Sequence, residues 1–137
     1  MWVVFALLGA VFAAATSILA KLGMEGINSN LGTAIRTLVV LVMAWGIVLG
    51  TGAQRGIPDI IPRGWLFLTL SGLATGASWL FFFRALQLGP ASKVVPVDKA
   101  SLVITMLLAF TFLGETPDTK TIAGGLLIAI GTFVLIL

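Results

Sequence analysis

Cysteine, histidine and tyrosine are all missing from this chain of 137 residues. Without cysteine there is no disulfide and no thiolate nucleophile, and without histidine no imidazole ligand or side chain that ordinarily titrates near neutrality. The lack of cysteine leaves the redox compartment open. Charge is scarce too: Asp, Glu, Lys and Arg together make 9% of the sequence, against roughly 25% in soluble domains. The formal charge of +3 is not gathered into a solvent-facing cluster, so no nucleic-acid partner is expected. A nucleophile and base would have to come from Asp98 with a serine or lysine, and no such motif stands out. An enzyme is therefore not expected, nor a metal site or cofactor.

What the chain has instead is apolar length. Hydrophobic residues reach 59%, against roughly 45–50% in soluble domains. They fall in five stretches: Trp2 to about Ala20, about Leu31 to Gly50, Trp65 to about Leu88, about Ala91 to Gly114, and Pro117 to Leu137. At about 1.5 Å per residue each approaches the roughly 30 Å of a bilayer core. One all-α polytopic membrane domain over residues 1–137 is expected. The first stretch offers Ala13, Ala14 and Ala15 as a cleavage-like run but lacks a basic n-region, so it reads as a span.

Boundary residues support this layout. Asn28, Ser29 and Asn30 can cap the start of span two, Gly50 and Gly52 its end, and Gly89-Pro90 stops span three. Thr116-Pro117-Asp118 reads as an N-cap, a first-position proline and a first-turn acid opening span five. Trp2, Trp45 and Trp65 fall near span ends on one membrane face, whereas Trp79 is well inside span three. Small residues form stripes suited to helix packing: Gly9, Ala13, Ser17 and Ala20 in span one, Ser71, Thr75 and Ser78 in span three, and Gly124, Gly125, Ala129 and Gly131 in span five. Their Ser and Thr members alternatively line a polar cavity.

A few charges fall within the spans. Arg36 lies about five residues into span two, roughly 8 Å at helical rise, and it and Arg84 can snorkel toward the headgroups. Asp98 has too short a stem for that. The uncharged run after Lys99 is only about 15 residues, about 22 Å, so span four must begin near Ala91 and bury Asp98 and Lys99 about two turns deep. The alternative is that Asp98 caps a shortened helix after an irregular segment marked by Pro90 and Pro96. Irregular backbone at that depth still needs protein or water around it rather than lipid. A net-positive vestibule is expected, with Asp98 paired to Arg36, Arg84 or Lys99. Asp98, Ser101 and Thr105 share a helical face, whereas Lys99 points about 100° away, which suggests different partners for the two charges.

The segment Arg84 to Glu115, RALQLGPASKVVPVDKASLVITMLLAFTFLGE, resembles the EamA domain of the drug/metabolite transporter superfamily. Val97-Asp98-Lys99 and Arg36-Thr37 are closer to its short bacterial and archaeal branch, with one five-span unit per chain. The resemblance implies a secondary transporter that exports amino acids, other metabolites or drugs by alternating access from a prokaryotic plasma membrane. It also implies that this chain is one half of a ten-helix inverted-repeat assembly. An odd number of spans puts the termini on opposite faces, so one unit recovers that arrangement only as an antiparallel homodimer. Arg55, Arg63 and Lys120 lie on the N-terminal face; Lys21, Lys93 and the embedded Arg36, Arg84 and Lys99 lie on the other. The balance changes sign with whether the embedded residues count, so dual topology is expected.

Substrate is expected between spans bearing Thr16, Ser17, Ser78, Trp79, Ser101 and Thr105, beside Arg36, Arg84, Asp98 and Lys99. Gating is expected at Gly89, Pro90 and Pro96, where the helical ladder is interrupted. A small-multidrug-resistance-like cation exporter would need a buried acid in span one, and none precedes Glu25. A non-transporting subunit that stabilises a partner is the alternative from another class, and embedded charges argue against it.

Overall fold

A computed structural model describes all residues, Met1–Leu137. The chain is all-α: α1 (Trp2–Gly23), α2 (Ser29–Thr51), a 3-10 segment (Ala53–Asp59), α3 (Pro62–Leu88), α4 (Ala91–Asp98), α5 (Ala100–Phe112) and α6 (Thr119–Ile136). Taking α4 and α5 together, five helical segments of 22, 23, 27, 22 and 18 residues are long and apolar enough to cross a membrane. At about 1.5 Å per residue they measure about 27–40 Å, which brackets the hydrocarbon core.

Their surfaces point the same way. At most 11% of the most apolar window of any segment is buried, so most Leu, Val, Ile and Phe side chains lie on the outside. In water such continuous apolar surface would drive association, whereas lipid tails solvate it. The chain is an integral membrane protein.

The helix ends show which signals operate. Asn28 caps α2 by accepting from the Asn30 N–H at 2.9 Å. Gly52, not Gly50, closes that helix; its φ of 74° is the left-handed conformation a side chain would resist, and Gly50 stays helical. Span five opens later than Thr116 and Pro117 suggest. Asp118 is the N-cap, in extended backbone, and its Oδ1 accepts from the Thr121 N–H at 2.8 Å. Bonds from the Thr121 side chain and backbone hold the Asp118 carboxyl below its usual value. Pro117 is left outside the helix.

Two compact parts make up the chain: Leu19–Gln87, and Met1–Ile18 with Leu88–Leu137. In the first, packing is concentrated where the end of α1, the start of α2 and the end of α3 meet. Ala20, Met24, Phe83 and Leu86 are buried there, with Ser29 and Thr33. Gly32 lets the segment after α1 approach, since a Cβ there would lie 3.1 Å from Met24 Cγ. The Thr33 hydroxyl donates to the Ser29 carbonyl at 2.8 Å, so its burial leaves no donor unpaired.

In the second part α6 packs on α4 and α5. Gly125 is the close-contact point: a Cβ there would come within 2.9 Å of Met106 Sδ. An apolar cleft of about 300 Å³ opens beside it, lined by Val103, Met106 and Phe110 from α5 and Thr121, Gly125 and Ala129 from α6. The small-residue stripes pack only in part. Ser17, Ala20 and Gly125 are buried, whereas Gly9, Ala13, Ser71, Thr75 and Ser78 remain exposed.

Candidate functional site

The helical ladder of span four is interrupted at one residue. α4 ends at Asp98 and α5 begins at Ala100, with Lys99 between them at φ −69° and ψ −6°. Pro96 supplies the local reason: it has no N–H for the ladder and its ring crowds the preceding turn. Tight three-residue bonds take over, Lys99 N–H to Pro96 O at 3.1 Å and Leu102 N–H to Lys99 O at 2.9 Å. The start of α5 has no side-chain cap, and the residue at that position is Lys99, so Asp98 is not the N-cap of a shortened helix.

The charges meet at this joint. Asp98 Oδ2 lies 3.5 Å from Lys99 Nζ, so these neighbours do not serve separate partners. Their side chains are 35% and 47% exposed, and a pair so open contributes little to stability. One turn on, Thr105 donates to the Ser101 carbonyl at 2.8 Å, and both residues are exposed. Thr132 of α6 is buried and brings its hydroxyl within 3.5 Å of the Pro96 carbonyl, a long contact at the same interruption. In α1 of this part, Ser17 is buried and donates to the Ala13 carbonyl at 3.0 Å, while Thr16 is half-buried. Gly89 and Pro90 form the connection into α4, with Pro90 in extended backbone as its N-cap.

The other part, Leu19–Gln87, holds Arg36, Ser78, Trp79 and Arg84. The Arg36 guanidinium lies 4.1 Å from the Phe83 ring centroid and 5.7 Å from that of Trp79. Trp79 and Phe83 are themselves 6.5 Å apart and tilted at 58°. Arg84 leaves α3 about 100° round from Phe83. Its Nη1 reaches Gln87 Oε1 at 3.5 Å, and it borders a cleft of about 480 Å³ with Asn28, Ser29, Asn30 and Phe81. Arg36 and Arg84 therefore face different surroundings, and Ser78 stands exposed beside Trp79.

Gln87 carries no motif, yet it ties this part together. Its Nε2 donates to the Met24 carbonyl at 2.9 Å and to the Ile27 carbonyl at 2.7 Å, while Lys21 Nζ donates to the Leu86 carbonyl. The Leu86 carbonyl, in the last turn of α3 where the helix dipole is negative, and two carbonyls of the segment that follows α1 thereby gain donors. Gln87→Ala should lower the thermal midpoint in detergent, losing about 0.5–1.5 kcal/mol for each of the two bonds. Gln87→Glu, which keeps the shape but cannot donate when ionised, should lose at least as much.

The sequence profile of the EamA-like transporter family matches residues 1–137. A protein of Sinorhizobium sp named "Uncharacterized transporter in cobO 3'region" is 48% identical over 134 residues, covering 98% of this chain and 95% of that protein. No solved structure gives a significant match.

Proposed function

The chain belongs to the EamA-like transporter family, and on that footing we propose that it is one half of a secondary transporter. It carries a small metabolite, amino acid or drug-like molecule across a prokaryotic plasma membrane by alternating access. The observation that carries this reading is the interruption of span four at Lys99, about 12 Å along a 22-residue apolar segment and flanked by Pro96 and the Asp98–Lys99 pair. Discontinuous helices are typically where transporters hold substrate and coupling ions. The residues proposed for the pathway are Asp98, Lys99, Ser101, Thr105, Thr16, Ser17, Arg36, Ser78, Trp79 and Arg84. Gly89, Pro90 and Pro96 are the gating positions.

An antiparallel homodimer completes the unit. Five spans put the termini on opposite faces, and the ambiguous Lys and Arg balance favours insertion both ways. The Sinorhizobium relative, matched over 95% of its length, is of the same single-unit size. A screen of uptake and exchange in liposomes should find a solute that crosses only with the protein present; failure to move any solute class would favour a non-transporting subunit. A C-terminal topology reporter should read out on both sides of the membrane, and one fixed orientation would exclude the antiparallel dimer.

A further inference from the structure

Spans two and three contain Arg36, Arg63 and Arg84 and no Asp or Glu. Two of these arginines stand at exposed positions. Arg63 stacks over Phe67 at 5.5 Å near the start of α3, and Arg84 hydrogen-bonds Gln87. Arg36 is different. Its side chain is half-buried, and its Nη1 is shut off from the surface with no hydrogen-bond partner.

Polar atoms buried in this way are nearly always paired, so an orphan charged donor calls for an explanation. Stacking explains the orientation only. Phe83 at 4.1 Å and Trp79 at 5.7 Å engage the guanidinium through its π and cationic character. They leave the Nη1 donor, on an edge that carries N–H groups and no acceptor, unsatisfied. That edge has the spacing to bond two oxygens of one carboxylate or phosphate, and the aromatic support limits the motion that bonding would otherwise have to arrest. The neighbouring Thr33 and Thr37 hydroxyls donate to carbonyls of their own helix, so they do not compete for an anion's oxygens.

We infer that Arg36, seated on Phe83 beside Trp79, is the anchor for an oxyanion, and that the transported solute is a small organic anion bearing a carboxylate or phosphate. This assignment rests on the carrier reading and supplies its substrate class. A phospholipid phosphate has the same chemistry, so the test separates the two sources.

Trp79 is the reporter. With Trp2, Trp45 and Trp65 replaced by Phe, its emission is titrated with acetate, succinate and inorganic phosphate, and with choline as the cationic control. The protein is held in nanodiscs of phosphatidylcholine with or without phosphatidylglycerol. At least one anion should give a saturable change and choline none. Arg36→Gln should abolish that change, and Arg36→Lys, which keeps the charge but loses the fork, should weaken it by roughly tenfold or more. Should the Gln variant fail to fold, the Lys variant decides: unaltered affinity would overturn the assignment. So would silence toward all three anions, or a change produced by phosphatidylglycerol alone. The two readings separate in liposomes. Normal transport by Arg36→Gln removes the anion anchor and leaves the carrier, whereas anion binding without transport of any solute does the reverse.

Discussion

Asp98→Asn should reduce gradient-driven solute uptake into liposomes to the level of protein-free vesicles, while the variant purifies and melts like the parent. Both halves follow from the geometry. The carboxylate contacts Lys99 at 3.5 Å across a pair that is 35% and 47% exposed, so deleting the charge removes little stability. Yet Asp98 lies about 10 Å along span four, and an acid within a spanning helix is costly, up to about 2.5–3.5 kcal/mol at its centre on insertion scales. A group that costly to insert and of so little use to stability is best explained by what it does in transport. Counterflow exchange separates two roles: a coupling acid loses driven uptake but keeps exchange, whereas a substrate ligand loses both. Glu115→Gln, outside the helices and exposed, is the control and should transport normally. Normal driven uptake by Asp98→Asn would remove Asp98 from the mechanism.

Helix number and class were legible in the sequence because apolar length is a property of each segment alone. Capping was less so. Thr116, Pro117 and Asp118 each fit a pattern for opening a helix, and the choice depends on which oxygen reaches an unpaired N–H. Asp118 Oδ1 does, at 2.8 Å from Thr121 N. The interruption at Lys99 has a visible cause in Pro96, yet its position three residues further on, and the resulting meeting of Lys99 with Asp98, depend on how the turn tightens. A straight-helix projection separates those two residues by about 100°.

Contacts between distant segments were the least legible. Gln87 binds carbonyls of Met24 and Ile27, 63 and 60 residues away, and nothing beside it in the sequence marks it. Thr132 reaches Pro96 over 36 residues in the same way. Stripes of small residues say that a helix can be approached closely, not that a neighbour does so: Gly125 meets Met106, while Gly9 has open space around its Cα. Charge count alone groups Arg36 with Arg84. What distinguishes them is the ring of Phe83, which as a sequence symbol looks like any other apolar residue of α3.

Phe83→Ala should be the most damaging single change in Leu19–Gln87, for reasons particular to a membrane. Phe83 is 1% exposed and touches Phe82 edge-on at 5.1 Å as well as Trp79 and Arg36. In a soluble core such a truncation costs about 3–5 kcal/mol, part of it the transfer of apolar surface from water. Lipid is as apolar as the ring, so that part largely falls away and the lost packing and the cavity remain, about 1–3 kcal/mol. Loss of the Arg36 stack adds about 0.5–2 kcal/mol, since the guanidinium is then partly buried without its aromatic support. Phe83→Leu refills most of the volume but has no ring face, so it should recover the packing share only. Thermal melts of the two variants, alone and combined with Arg36→Gln, read out the difference. Once Arg36 is gone, the gap between Ala and Leu should persist while the penalty of Leu itself shrinks. An unchanged Leu penalty would mean that the ring stabilises through shape alone, and that its contact with Arg36 is incidental.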